Sequence, residues 1–420
     1  MTTDTPALLR QLFDRAVAVA DPMQSLAAVL PPKPAGRVMV IGAGKASARM
    51  AEAVEAEWGP CEGLVITRYG YARPCTGIEI VEAAHPVPDA AGQQATRRML
   101  DLLECLGEGD FVLALISGGG SALLTAPAGD ITLAEKQALT DALLASGAPI
   151  GVLNDIRKQI SDVKGGKLAA AAYPAQMLAL LISDVPGDDP ADIASGPTVG
   201  DTGDATRALE ALDRWSVTPP ASITAYLRAG GAPLPPNDTR LTHVRNVIYA
   251  APAQSLAAAA ELAQASGISV EILGDALEGE ARDVARAHAA EALNRQAAMS
   301  SGSKPVLLLS GGELTVTRRG DGIGGPNAEY ALALALALDA APGIHAIACD
   351  TDGVDGAAEV AGALIGPESL AHAVATGDDP AVALADNDAH GFFGRIGGQV
   401  VTGPTLTNVN DFRAILIQPL

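Results

Sequence analysis

Short apolar runs recur along the chain, and each ends in a turn rich in glycine, serine or aspartate. Residues 37–41, 63–67, 78–83, 110–116 and 177–182 read as strands on this pattern. The alanine- and leucine-rich stretches between them read as helices, from about Ala46 to Glu57 and from Asp89 to about Leu106. Two proline-rich connections, residues 218–220 and 232–237, interrupt the pattern. It then resumes, with strands expected at 244–250, 269–273, 305–309, 344–348 and 413–417. Helices are expected over 253–265, 279–299 and 328–338. Residues 314–318 alternate in polarity and predict an antiparallel strand. Apolar runs without alternation, separated by helices, indicate parallel sheets covered on both faces. The expectation is two α/β domains, residues 1–236 and 237–420.

Composition narrows the function. The chain has 420 residues, with 28 Lys and Arg against 49 Asp and Glu, a net charge of −21. Such a balance argues against a nucleic-acid partner and against an anionic membrane. It leaves open a small anionic substrate met by a few local cations. Cys61, Cys75, Cys105 and Cys349 show no CxxC spacing and read as reduced thiols. No HxxxH pair suggests zinc. Asp4, Arg10, Asp14 and Arg15 interrupt the first 21 residues, which therefore do not read as a signal peptide. No apolar run reaches the roughly 18 residues of a membrane span. A cytoplasmic protein is expected, and a homo-oligomer is compatible with the sequence.

The turns carry the candidate chemistry. Gly42-Ala43-Gly44-Lys45-Ala46-Ser47 joins a strand to a helix, where backbone amides meet an anion and Lys45 adds charge. It is a near miss to the dinucleotide fingerprint, with Ser47 in place of the third glycine. Ser117-Gly118-Gly119-Gly120-Ser121 would let a phosphate or carboxylate approach the backbone closely. Residues 153–167 are the densest cationic segment, and Arg157 suits a bidentate grip on an anion. The bland reading is a solvated helix face paired with Asp155 and Asp162. Asp184, Asp188 and Asp189 follow one apolar run, and Asp350, Asp352 and Asp355 follow another. Carboxylates so placed suit Mg²⁺ or the proton of an attacking hydroxyl, although single aspartates also serve as caps. Residues 319–327, with Gly324, Gly325 and Asn327, form a glycine loop entering a helix, again an anion site by geometry. Residues 405–411, with Asn408, form a polar turn whose amides bind a ligand or only cap the next segment.

Taken together, these segments resemble the class II glycerate kinases from about Arg10 to Ile417. The resemblance rests on the Gly42 and Ser117 loops, His85-Pro86-Val87-Pro88-Asp89 and Lys164-Gly165-Gly166-Lys167. It continues through Ser183-Asp184-Val185-Pro186-Gly187-Asp188-Asp189-Pro190, Ala194-Ser195-Gly196-Pro197-Thr198 and Ser310-Gly311-Gly312-Glu313. Thr351-Asp352-Gly353 and Thr407-Asn408-Val409-Asn410-Asp411 complete it. It implies two Rossmann-like three-layer domains with an active site in the cleft between them. It further implies ATP- and Mg²⁺-dependent phosphorylation of D-glycerate to 2-phosphoglycerate. Lys45 matches the family's invariant lysine and Asp184 the aspartate of its SDVPGD loop; both are expected to be catalytic, and Asp184 and Asp188 are expected near the metal. Asp352 and Asn408 match further cleft positions. Gly42, Gly44, the residues of the Ser117 loop, Arg157, Gly311, Gly312, Glu313, Gly324, Gly325 and Asn327 are expected to bind nucleotide or acceptor. One departure stands out: Pro326 replaces the arginine of the family's GGRN pattern, so Arg318, Arg319 or Arg157 is expected to substitute. Some members carry the name hydroxypyruvate reductase. That alternative needs a nicotinamide site, for which Glu62, 20 residues past Gly42, is the ribose candidate. A third reading is a non-catalytic binding module for a sugar-acid phosphate.

Overall fold

The computed structural model describes residues 4–148 and 150–420. Residues 1–3, part of the leading segment considered above, lie outside the described residues. The chain divides into two compact units, one of Pro22–Tyr249 and one of Met1–Asp21 with Ala250–Leu420.

In the first unit, β1 (Val38–Ala43), β2 (Glu62–Arg68), β3 (Ile78–Ala83), β4 (Phe111–Ile116), β5 (Gln176–Ile182) and β6 (Val244–Ala250) form one sheet in the order 3-2-1-4-5-6. The pairs β1–β2, β2–β3, β1–β4 and β4–β5 are parallel. This is the doubly wound order, in which the chain leaves β1 in opposite directions and opens a crevice beside its C-terminal end. All of β1 is buried, as is β4 from Val112 onward, which is why neither strand alternates in sequence. Beside the sheet, helices Leu133–Ala145, Ile150–Gln159, Ala205–Arg214 and Ala221–Arg228 share their own apolar core of Leu139, Leu143, Leu153, Ile156, Leu212 and Leu227.

The second unit contains β7 (Ser269–Gly274), β8 (Gly279–Glu280), β9 (Val306–Ser310), β10 (Leu314–Thr315), β11 (Ile344–Asp350), β12 (Gly362–Ile365), β13 (Gln399–Val400) and β14 (Asp411–Ile417). Six of these form a sheet in the order 13-12-11-14-9-7. Only β7 and β9 pair in parallel; the other four pairings are antiparallel. The expected parallel sheet is therefore a mixed one. Both of its faces are covered, so the strands lose the alternation that distinguishes antiparallel sheets. On one side Leu307, Leu309, Phe412 and Ala414 meet Leu9, Leu12 and Phe13 of helix Thr5–Ala20. On the other, Leu308, Ile415 and Ile417 meet helices Ala281–Ala297 and Pro326–Leu338. The strand expected at 314–318 shrinks to Leu314–Thr315 and pairs in parallel with β8, not antiparallel.

The division of the chain also differs from the boundary read at 236/237. β6 lies beyond that point yet extends the first sheet next to β5, where Met177 N–H donates to the His243 carbonyl at 2.9 Å. At the other end, the apolar stripe of Thr5–Ala20 is buried on the second sheet.

One buried ion pair fixes the loop after β9. Arg413 is 1% exposed and donates to Asp411 at 2.8 Å, to the Gly311 carbonyl at 2.6 Å and to the Gly312 carbonyl at 3.2 Å. Burial pushes the Asp411 carboxyl up to about 6, against the opposing pull of Arg413 and Asn327. Arg413→Met would strand this carboxylate, so we expect a loss of about 3–5 kcal/mol in the unfolding free energy measured with urea.

Candidate active site

The loops after β1 and β4 meet at the crevice of the first sheet. Lys45 N–H donates to the Gly118 carbonyl at 2.8 Å, and Ala46 N–H donates to Ser117 Oγ at 3.0 Å. Ser47 Oγ donates to the Leu115 carbonyl at 2.9 Å. Gly44 adopts φ +149°, and a Cβ there would lie 2.0 Å from Ser117 Oγ. Only glycine allows this approach. Gly119, with φ +79°, holds the N-terminal side of the short turn Gly120–Leu123, and the Lys45 and His85 side chains both pass within about 3.1 Å of where its Cβ would stand. Lys45 is half-buried, while Gly42, Gly44, Ser117, Gly118 and Gly120 are buried. The two glycine loops expected to hold an anion are thus one continuous surface with Lys45 on it.

The loop after β5 carries Asp184 and Asp188, and it leaves the same C-terminal edge of the sheet. Gly187 and Asp188 both adopt left-handed backbone, at φ 80° and 54°. Asp188 Oδ1 is buried and accepts no hydrogen bond among the described residues. A carboxylate oxygen in that state fits a cation, and Mg²⁺ needs only one or two carboxylates when substrate phosphates and water complete its shell. The described residues hold no group of three or more His, Cys, Asp or Glu side chains able to bind a metal alone.

The cationic segment is not a solvated face. Lys158, 3% exposed, pairs with Asp201 at 2.6 Å and Asp192 at 3.3 Å, not with Asp155. Lys167 donates to the Ser161 carbonyl at 2.6 Å. Arg157 donates to Asn154 Oδ1 at 3.4 Å, and Ser195 Oγ donates to the same oxygen at 3.3 Å. Ser195 in turn meets Ser121 Oγ at 2.8 Å, which joins Arg157 to the Ser117 loop. Asn154 and Ser195 lie in segments that the sequence marks, but neither was expected to bind a ligand. The left-handed φ of Ala194 (52°) and Ser195 (62°) marks a strained loop that no apolar pattern reveals.

In the second unit, the loops after β9 and β11 and before β14 gather at one edge of the sheet. Asp352 is fully buried and its carboxylate accepts from Val354 N–H at 2.8 Å. Thr405 N–H donates to the Asp352 carbonyl at 3.2 Å, and Asn408 Oδ1 accepts from Asn410 N–H at 3.2 Å. Asp352 and Asn408 therefore belong to one laced pair of loops. Gly311 and Gly312 are buried and Glu313 is exposed.

The glycine loop 319–327 is occupied by the protein itself. Asp355 accepts from Asn327 N–H at 3.0 Å and from Ala328 N–H at 2.8 Å, so the first free amides of helix Pro326–Leu338 already hold a carboxylate. Gly325 lies against this group, and a Cβ there would be 2.4 Å from its carboxyl carbon. Asn327 Nδ2 donates to Asp411 at 2.7 Å, and His390 Nε2 meets Asp355 at 2.9 Å. Asn387 holds the rest of the loop by accepting from Arg319 N–H at 2.7 Å. Gly324 sits against the Asn387 carbonyl, 2.7 Å from where its Cβ would be. Arg318 and Arg319 are exposed.

The model of a domain of unknown function (DUF4147) matches residues 8–228, and that of the MOFRL family matches residues 306–411. The D-glycerate 2-kinase of Thermotoga maritima is 36% identical over 96% of this chain and 95% of its own. The chain belongs to the class II glycerate kinase family. The human glycerate kinase is 35% identical, covering 98% of this chain and 92% of its own. A protein of Agrobacterium vitis, provisionally named a hydroxypyruvate reductase, is 49% identical over 98% of this chain and 94% of its own. The solved glycerate kinase of Thermotoga maritima superimposes with a TM-score of 0.86 at 35% identity, covering 98% of this chain and 99% of that one. Among the described residues no helix is long and apolar enough to cross a membrane.

The contact between the two glycine loops is directly testable. Gly44→Ala has no space for its methyl and a poor backbone conformation, so we expect a stability loss of about 1–3 kcal/mol, read as a lowered midpoint in thermal unfolding. An unchanged midpoint would show that the loops can separate at no cost.

Proposed function

We propose that this protein phosphorylates D-glycerate on its 2-hydroxyl, using ATP with Mg²⁺. The observation that carries this reading is Lys45 on the paired Gly42 and Ser117 loops at the crevice between β1 and β4. Relatives named glycerate kinase, which match over nearly the whole chain, support the acceptor.

Phosphoryl transfer asks little covalent chemistry of the protein and much positioning and charge neutralisation. The amides of the two loops and the Lys45 ammonium provide these for the phosphates. Asp184 takes the proton of the 2-hydroxyl as its oxygen bonds to the γ-phosphorus. The bond from that phosphorus to the bridging oxygen breaks, and ADP leaves with the electron pair. Asp188 would hold Mg²⁺, which supplies further neutralisation of phosphate charge when bound.

The reductase reading has a specific observation against it. Glu62 starts β2, pairs in register with Met39 near the beginning of β1, and is bound to Arg37 at 2.7 Å. A ribose-binding carboxylate belongs at the other end of β2, where this chain has Thr67 and Arg68. Thr67 Oγ1 there donates to the Gly44 carbonyl at 3.1 Å and so braces the loop.

Lys45→Ala and Asp184→Asn should each lower kcat by about 100-fold or more, with the fold intact by circular dichroism. The assay is ADP release from D-glycerate, ATP and Mg²⁺, with the product identified by phosphorus NMR. Wild-type turnover in either variant would remove that residue from catalysis. Oxidation of NADH or NADPH by hydroxypyruvate without any ADP release from glycerate would overturn the kinase reading. Asp188→Asn should raise the Mg²⁺ concentration needed for half-maximal rate; an unchanged requirement would remove Asp188 from the metal.

A further inference from the structure

We infer that Lys136, Arg157 and Lys164 form a buried anion well behind the Ser117 loop, and that it receives the carboxylate of a short hydroxy acid acceptor. This rests on the kinase reading and names the group that reads the acceptor.

The three cations come from separate segments of the first unit. Lys136 lies on helix Leu133–Ala145, Arg157 on helix Ile150–Gln159, and Lys164 in the turn that follows. Lys136 is 3% exposed and Lys164 is fully buried. The Lys136 ammonium has no hydrogen-bond partner among the described residues. Lys164 reaches only the carbonyl oxygens of Leu124 at 3.3 Å and Ala194 at 3.4 Å.

Among the described residues no carboxylate forms an ion pair with this group. The charge acting on Lys136 is that of Arg157, and those acting on Lys164 are Lys136 and Arg157. Burial with this mutual repulsion pulls Lys136 down to about 8 and holds Lys164 well below the usual lysine range. The contrast within the same segment is sharp. Lys158 has Asp192 and Asp201, and Lys167 has Asp162 nearby. An isolated buried ammonium is costly, and three like charges together are costlier. An anion among them would remove most of that cost, which among the described residues only the two carbonyls on Lys164 offset.

Hydrogen-bonded polar groups link Arg157 and Lys164 to the Ser117 loop. Arg157 meets Asn154, Asn154 meets Ser195, and Ser195 meets Ser121. Lys164 is tied to Leu124, three residues past Ser121. The phosphates already have the amides of the two glycine loops and Lys45. The well adds a planar guanidinium, which matches a carboxylate in bidentate geometry, beside two serine hydroxyls and an amide suited to the hydroxyls of an acceptor.

The test uses full-length protein and Lys136→Met, with Lys136→Gln as a second variant should the first not fold. Thermal unfolding and calorimetric titration with D-glycerate and, separately, with ATP report binding without turnover. In the variant we expect an apo melting temperature equal to or above wild type, because a buried charge is gone. The stabilisation by D-glycerate should disappear, and KM for D-glycerate should rise about 10- to 100-fold, the equivalent of one lost charged hydrogen bond. KM for ATP and kcat should change less than about threefold. A purely structural lysine would instead lower the apo melting temperature and leave the D-glycerate response intact, and that result overturns the proposal. A rise in KM for ATP alone also overturns it and makes the well a phosphate site. A wild-type protein that binds D-glycerate, loses that binding in Lys136→Met and releases no ADP would overturn the kinase reading while supporting the well.

Discussion

The active site proposed for this chain depends on the close approach of two backbone turns. The loops after β1 and β4 touch because Gly44 has no side chain where Ser117 Oγ stands. That contact aligns the amides of one loop with those of the other and places Lys45 beside both. The doubly wound strand order brings β1 and β4 together, so the turns meet at the only point where the chain reverses direction across the sheet. Thr67, from the end of β2, braces the same turn from the far side.

Much of this was readable from sequence because buried parallel strands leave a strong trace. The runs at 63–67, 78–83 and 110–116 correspond to β2, β3 and β4 within a residue at each end. The second sheet was misread as parallel for the same reason. Leu307, Leu308 and Leu309 are all buried, and covering both faces erases the alternation that would have marked the antiparallel pairing of β9 with β14. Helix Thr5–Ala20 carried an apolar stripe in plain view, but nothing local says that its partner is Phe412, some 400 residues away, with ring centroids 5.9 Å apart. Asp355 illustrates a third limit. A glycine loop entering a helix looks the same whether its amides await a ligand or hold a carboxylate from elsewhere in the chain.

Charge is distributed against the net balance. The surface is strongly acidic, with 49 acids to 28 bases overall, yet Lys136, Lys158, Lys164 and Arg413 are each no more than 3% exposed. Two of these, Lys158 and Arg413, have carboxylate partners and serve to hold loops. The other two have none among the described residues, and these are the cations we propose for a ligand. At long range the acidic exterior discourages nonspecific anions, while an interior cation acts only on an anion that has shed its water.

The second unit is built from both ends of the chain, and this imposes an order on synthesis. Helix Thr5–Ala20 is made before the strands of its own sheet, so Leu9, Leu12 and Phe13 at first lack the partners that cover them. The unit Pro22–Tyr249 then has its whole sequence available and can close around its own sheet. Only when β14 has been made does helix Thr5–Ala20 find Phe412 and Ala414. The nascent chain must therefore carry an uncovered apolar helix while the whole of the first unit is made, and a segment translated before that unit is buried only after it.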